Sequence, residues 1–105
     1  MIVRPTAREQ TDTARALVKL VTQFPELPAA NFAITSQREA ADLTVNVHRT
    51  DSFERWREAL DLDPQTASVE YFAVFQTVEI FGRFSGVRLR LVGYLPLPTE
   101  AADRA

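Results

Sequence analysis

The chain has 105 residues, of which 46% are hydrophobic and 25% are charged, a balance typical of a single globular domain and not of a disordered chain. It contains no cysteine, which excludes disulfides, thiolate metal sites and a cysteine nucleophile. The N-terminus lacks the apolar segment of a signal peptide, and no apolar run approaches the roughly 20 residues that a membrane helix needs. We therefore expect a soluble, cytoplasmic protein with no membrane partner.

The formal net charge of −2 favours no particular partner, but the charges are unevenly distributed. Residues 37–80 are acidic overall, whereas residues 81–95 contain three arginines and no acidic residue. An acidic segment beside a basic one favours self-association or an oppositely charged partner, although ordinary solvated surfaces give the same pattern. Arginine supplies 11 of the 12 basic residues. We attribute this first to a GC-rich coding bias and only second to phosphate recognition.

The first predicted element is a helix over residues 6–23. Thr6 and Glu9 have the spacing of a capping box, and Thr11 and Thr13 are alternative N-caps. Pro25 ends the helix, because the residue before a proline is disfavoured in the α region. Apolar residues recur at three- and four-residue steps and form one stripe: Ala14, Leu17, Val18, Val21 and Phe24.

Two short strands with alternating polarity follow the first helix. In residues 31–35, Phe32 and Ile34 alternate with smaller or polar side chains, and residues 43–48 show the same alternation. A period of two is typical of a half-buried strand. With a short polar connection between them, the two runs predict a β-hairpin.

The second predicted helix contains the only tryptophan, in the sequence DSFERWREAL. Asp51 is its predicted N-cap, and Pro64 marks its predicted stop. Arg55 and Arg57 point about 100° to either side of Trp56, so we expect the indole in the core and both arginines on the surface. The alternative is an exposed stacking platform for nucleobases, which needs basic residues that face the same way as the indole.

The last third of the chain is rich in β-forming residues. Residues 67–81 predict one long central strand with a bend or bulge, residues 82–86 a turn, and residues 87–95 the partner strand. Residues 96–105 lack a core pattern and predict a flexible tail, outside a single domain of residues 1–95. The element order α-β-β-α-β-β predicts an α+β two-layer sandwich, with a four-stranded, mainly antiparallel sheet and two helices on one face.

No combination of residues predicts a catalytic or metal site. His48 is the only histidine, so it cannot form a multi-histidine metal site, and no motif marks it as a catalytic base. Asp61 and Asp63 lack the glycine and the further ligands of an EF-hand loop. We therefore predict a protein that is not an enzyme and that needs no metal and no cofactor.

The sheet face away from the helices is the candidate interaction surface. Its predicted members are Asn46, His48, Tyr71, Phe75, Arg88, Arg90, Val92 and Tyr94. The aromatic members have no intramolecular cover apart from what the proline-containing tail supplies, and exposed patches of this kind associate. We therefore predict a protein-interaction module that forms a homodimer through this face or its edge, and we expect Phe75→Glu to favour the monomer.

The same face also allows a different function. Sheets that mix aromatic residues with arginine bind RNA or small ligands, and His48, Arg88, Arg90 and Tyr94 would supply that surface. The overall acidity opposes a nucleic-acid partner, because nucleic-acid-binding domains usually carry a basic excess. An ordinary solvated face is the remaining interpretation.

Three segments of residues 24–95 share a pattern with other proteins. LPAANFAIT has Leu-Pro before a strand, FERWREALDL has Phe-x-x-Trp-x-x-Ala-Leu on a helix, and SGVRLRLVGYLP closes with a valine-rich strand. In this pattern the chain resembles small actinobacterial and actinophage proteins of unassigned function. The resemblance implies such a source and an αββ-type architecture, and it carries over no catalytic residue.

Overall fold

The computed structural model describes residues 6–35 and 41–97, which form an α+β fold with two α-helices and one five-stranded mixed sheet. The helices are α1 (Thr11–Gln23) and α2 (Thr50–Ala59), and short 3-10 helices span Ala7–Gln10 and Pro64–Thr66. The strands are β1 (Asn31–Ile34), β2 (Leu43–Val47), β3 (Ser68–Tyr71), β4 (Gln76–Phe84) and β5 (Val87–Leu95). Most of the predicted tail, residues 98–105, lies outside the described residues.

Both predicted helix caps are wrong in detail. The first helical segment begins as a 3-10 turn, in which the Glu9 backbone N–H donates to the Thr6 carbonyl at 3.0 Å and the Thr6 side chain makes no capping hydrogen bond. Arg49 occupies the N-cap position of α2, so that Asp51 lies inside the first turn. There the Asp51 carboxylate accepts from the Ser52 backbone N–H at 2.9 Å. An acidic residue in a first turn still favours the helix, because it lies near the positive end of the helix dipole.

The predicted long strand over residues 67–81 is wrong, because the chain reverses direction within it. Phe72 donates its backbone N–H to the Phe75 carbonyl at 2.8 Å, and the two rings stack with centroids 4.7 Å apart. The segment therefore forms two strands, β3 and β4, and the sheet has five strands instead of four. The turn contains no glycine, proline or asparagine, so the usual turn signals were missing from the sequence.

The next turn is tighter than predicted. β4 continues to Phe84, and only Ser85 and Gly86 connect it to β5. Both residues have positive φ, 52° and 84°, as a two-residue type I′ hairpin requires. Glycine adopts this conformation without a steric penalty, and it stands at the second of the two positions.

The strand order in the sheet is β1-β2-β5-β4-β3. β2 and β5 are parallel neighbours, and the other three pairings are antiparallel. A parallel pair needs a long crossover connection, which α2 and the β3–β4 hairpin supply. The two edges of the sheet are therefore β1 and β3.

One hydrophobic core joins both helices to one face of the sheet. Its most buried members are Ala16, Leu20, Leu43, Val45, Val47, Phe53, Trp56, Ile80, Leu89 and Leu91. Trp56 is 2% exposed, which confirms it as a core residue. A Cβ atom added to Gly93 would lie 2.8 Å from Phe53 Cδ1, so the missing side chain allows α2 to approach β5 closely.

Candidate interaction surface

The alternation of β5 places Arg88, Arg90, Val92 and Tyr94 on the sheet face opposite the core, because the intervening leucines are buried in it. Asn46 of β2 is the register partner of Val92 and lies on the same face. His48 follows β2, and its ring stacks on Tyr94 with centroids 5.4 Å apart. The structure thus brings these members of the predicted surface together.

Tyr71 and Phe75 do not belong to that group. Tyr71 is the register partner of Gln76, which in turn pairs with the buried Leu95, so Tyr71 lies on the helix side of the sheet. Phe75 lies in the turn, half-buried against Phe72. Both expectations depended on a continuous strand, and the turn between β3 and β4 changes the alternation.

The two arginines at the centre of the open face are each bound to a carboxylate. Arg88 donates to both oxygens of Asp42, from Nε at 3.1 Å and from Nη2 at 2.9 Å. The side-chain hydrogen bond from Arg88 lowers the pKa of Asp42, and the same bond raises the pKa of Arg88. Arg90 Nη1 lies 3.2 Å from Glu79 Oε2. The positive charge of both side chains is therefore balanced within the protein.

A shallow cleft of about 360 Å³ lies on this face. It is lined by Ser68, Val69, Glu70, Thr77, Glu79, Arg90, Val92 and Tyr94. Two carboxylates and one arginine give the lining a net negative charge, which would repel a phosphate backbone. The cleft therefore does not favour the nucleic-acid alternative.

The two aspartates that were compared with an EF-hand loop, Asp61 and Asp63, lie in the connection that follows α2. Asp63 accepts the Gln65 backbone N–H at 2.9 Å and so caps a 3-10 turn. Asp61 follows α2 with a φ of 56°, a conformation that aspartate tolerates better than most residues. Within residues 6–35 and 41–97, no group of three or more His, Cys, Asp or Glu residues could hold a metal ion. Neither helix in the described part of the chain is long and apolar enough to cross a membrane.

The most exposed apolar surface is instead on the β3–β4 hairpin. We define the hairpin patch as Val69, Tyr71, Phe72 and Val74, which are 46%, 63%, 42% and 79% exposed. Every residue of β3 is exposed. In one continuous strand over residues 67–81, Phe72 and Val74 would alternate with Tyr71 and Phe75 and so lie on the helix-covered face, which the structure contradicts. The high density of β-forming residues in this segment was the signal in the sequence from which the patch could have been suspected.

β3 is also the last strand of the sheet in the described part of the chain, so its outer backbone edge pairs with none of the other described strands. Phe72 directs its backbone groups towards β4, where its N–H meets the Phe75 carbonyl. Because the direction alternates along a strand, Val69 and Tyr71 direct their N–H and C=O groups outwards. The opposite edge, β1, differs: Phe32 and Ile34 pack against the core, and the exposed side chains are the small or polar Asn31 and Ala33.

The hairpin patch therefore combines two features that promote association, namely exposed apolar side chains and strand hydrogen-bonding groups that no other described strand engages. Four of the eight large hydrophobic residues that are exposed in the described part of the chain belong to it.

No known protein family, curated protein or solved structure matches this chain.

Proposed function

We propose that the protein is a non-enzymatic interaction module that self-associates through the outer edge of β3. The observation that carries this proposal is the hairpin patch, in which Val69 and Tyr71 expose apolar side chains beside backbone groups that no other described strand pairs with. The proposal includes a cytoplasmic location, for which the composition is the support. It also includes an actinobacterial or actinophage source, for which the sequence resemblance is the support.

A strand of a second copy satisfies both features of the patch at once. Its backbone supplies hydrogen-bond partners for the outward groups of Val69 and Tyr71, each bond contributing about 0.5–1.5 kcal/mol net. A two-fold axis perpendicular to the sheet keeps the faces aligned, so the apolar side chains of the two copies meet on the same side. Such a closed, two-fold dimer is the commonest arrangement among soluble oligomers.

The experiment compares the wild-type chain with Val69→Lys by sedimentation velocity over the micromolar range. Lysine on an edge strand opposes edge pairing, because its charge must be desolvated. Val21→Lys is the matched control, since Val21 has a similar exposure of 42% on α1 and lies outside the hairpin. We expect dimers for the wild type and the control, and monomers for Val69→Lys, with circular dichroism unchanged in all three.

A wild-type chain that stays monomeric, or a Val69→Lys variant that dimerises as well as the control, contradicts the proposal. Phe75→Glu is a poorer test than the sequence suggested, because Phe75 stacks on Phe72 inside the hairpin turn. Labelled single-stranded RNA should be tested in parallel. A monomer that binds it with strong salt dependence supports the open-face alternative instead.

A further inference from the structure

We infer that two copies pair their β3 strands antiparallel about a two-fold axis at Glu70, so that the two Glu70 carboxylates face each other and limit the affinity. This inference rests on the proposed self-association and assigns its register. It also assigns to Glu70 the role of a charged residue that keeps a sheet edge from pairing too strongly, a device found on natural edge strands.

The outward backbone groups select this register. With the axis at Glu70, Val69 of one copy lies opposite Tyr71 of the second copy, and each residue uses both its N–H and its C=O. Every outward group of β3 then has a partner, and each Val69 side chain packs across from a tyrosine ring. Aromatic and β-branched residues are a favourable cross-strand pair.

Neighbouring registers satisfy fewer groups. An axis at Val69 places Tyr71 opposite Ala67, whose N–H already donates to the Pro64 carbonyl at 3.2 Å. An axis at Tyr71 places Val69 opposite Ala73, which lies in the turn after β3. A register shifted by one residue places a residue whose backbone groups point outwards opposite a residue whose backbone groups point towards β4. The hydrogen bonds between the two copies are then lost.

In the selected register the two Glu70 side chains project from the same face. They form a non-hydrogen-bonded pair, in which the Cα atoms of opposite residues lie about 4.5 Å apart. Like charges at directly opposite positions destabilise a strand pair. Within its own chain Glu70 is the register partner of Thr77, and the diagonal neighbour Glu79 is the residue that binds Arg90. The nearest arginine on this face is therefore already engaged.

Charge variants of Glu70 test the register directly. We expect Glu70→Gln to lower the dimer dissociation constant about two- to fivefold, because the repulsion between opposite carboxylates is removed. We expect an equimolar mixture of the wild type and Glu70→Lys, resolved by native mass spectrometry, to contain heterodimers above the statistical proportion. Glu26→Lys is the control, at an exposed position outside the sheet, and its mixture with the wild type should be statistical.

The outcomes separate the register from self-association itself. If Val69→Lys abolishes the dimer while the Glu70→Lys mixture stays statistical, the edge is used but the register at Glu70 is wrong. If the wild type is monomeric and Glu70→Gln dimerises, the proposed self-association of the wild-type chain is overturned, whereas the position of Glu70 at the two-fold axis is supported. If the wild type, Glu70→Gln and the mixture of the wild type with Glu70→Lys all remain monomeric, both the proposed function and the register are overturned.

Discussion

The indole N–H of Trp56 donates a hydrogen bond to the backbone carbonyl of Pro28 at 2.9 Å. This bond connects α2 to the segment that leads into β1, and the ring edge of Phe32 meets the same indole with centroids 5.9 Å apart. A buried tryptophan needs a partner for its N–H, and Pro28 provides it. Trp56 therefore joins two parts of the fold that are far apart in sequence.

Trp56→Ala is expected to lower the free energy of unfolding by about 3–5 kcal/mol, because it removes a large core side chain and leaves a cavity. Trp56→Phe should cost less, since it keeps most of the apolar contact and loses the hydrogen bond to Pro28. Urea denaturation followed by far-ultraviolet circular dichroism measures both. A loss within about 0.5 kcal/mol for Trp56→Ala is the size expected of a surface change and would show that the indole is not a core residue.

The two arginines that flank Trp56 are expected to differ, although the sequence predicts two equivalent surface residues. Arg57 is 15% exposed in its side chain and donates to the Leu62 carbonyl at 3.1 Å. Arg55 is exposed and donates to the Glu26 carbonyl at 3.0 Å. We therefore expect Arg57→Ala to lower the urea midpoint clearly more than Arg55→Ala, because it leaves a half-buried carbonyl without its partner. Equal midpoints for the two variants would contradict the role given to Arg57.

Asp42→Asn is expected to lower the free energy of unfolding by about 0.5–1 kcal/mol at neutral pH, near the upper end for solvent-screened ion pairs. Arg88 lowers the pKa of Asp42 in the folded protein, so the pair stabilises the fold above the unfolded carboxyl value of about 3.9. That contribution is lost as the pH falls through the lower folded value. The difference between wild type and variant should therefore shrink on acidification, as measured by urea denaturation at a series of pH values.

Asp51→Asn is the control for this pH dependence. Arg49 also lowers the pKa of Asp51, but both side chains are largely exposed. Solvent and salt screen such a pair, so we expect a difference from the wild type that is smaller than that of Asp42→Asn and that added salt removes. A larger effect at Asp51 than at Asp42 would contradict the importance assigned to the Asp42–Arg88 pair.

Local patterns in the sequence determined much of the fold. The alternation of residues 31–35 and 43–48 and the core position of Trp56 follow from the strand and helix periods. The stripe predicted for the first helix is partly wrong: Leu17 and Phe24 pack against the core, but Ala14, Val18 and Val21 are exposed, and the buried residues of α1 include Ala16 and Leu20. Strand alternation also correctly predicted one shared face for Arg88, Arg90, Val92 and Tyr94. Periodicity reports the direction of a side chain within one element, and it therefore sufficed for the strand faces and for Trp56.

Only the tertiary structure decided how the elements are joined and which of them remain exposed. Phe72 stacks on Phe75 across the turn between β3 and β4. The turn contains no glycine, proline or asparagine from which it could have been predicted. The parallel pairing of β2 with β5 and the ion pair of Asp42 with Arg88 connect residues far apart in the chain. The exposure of Val69 depends on how far the helices extend over the sheet. Such features arise from packing between elements, which a local period cannot encode.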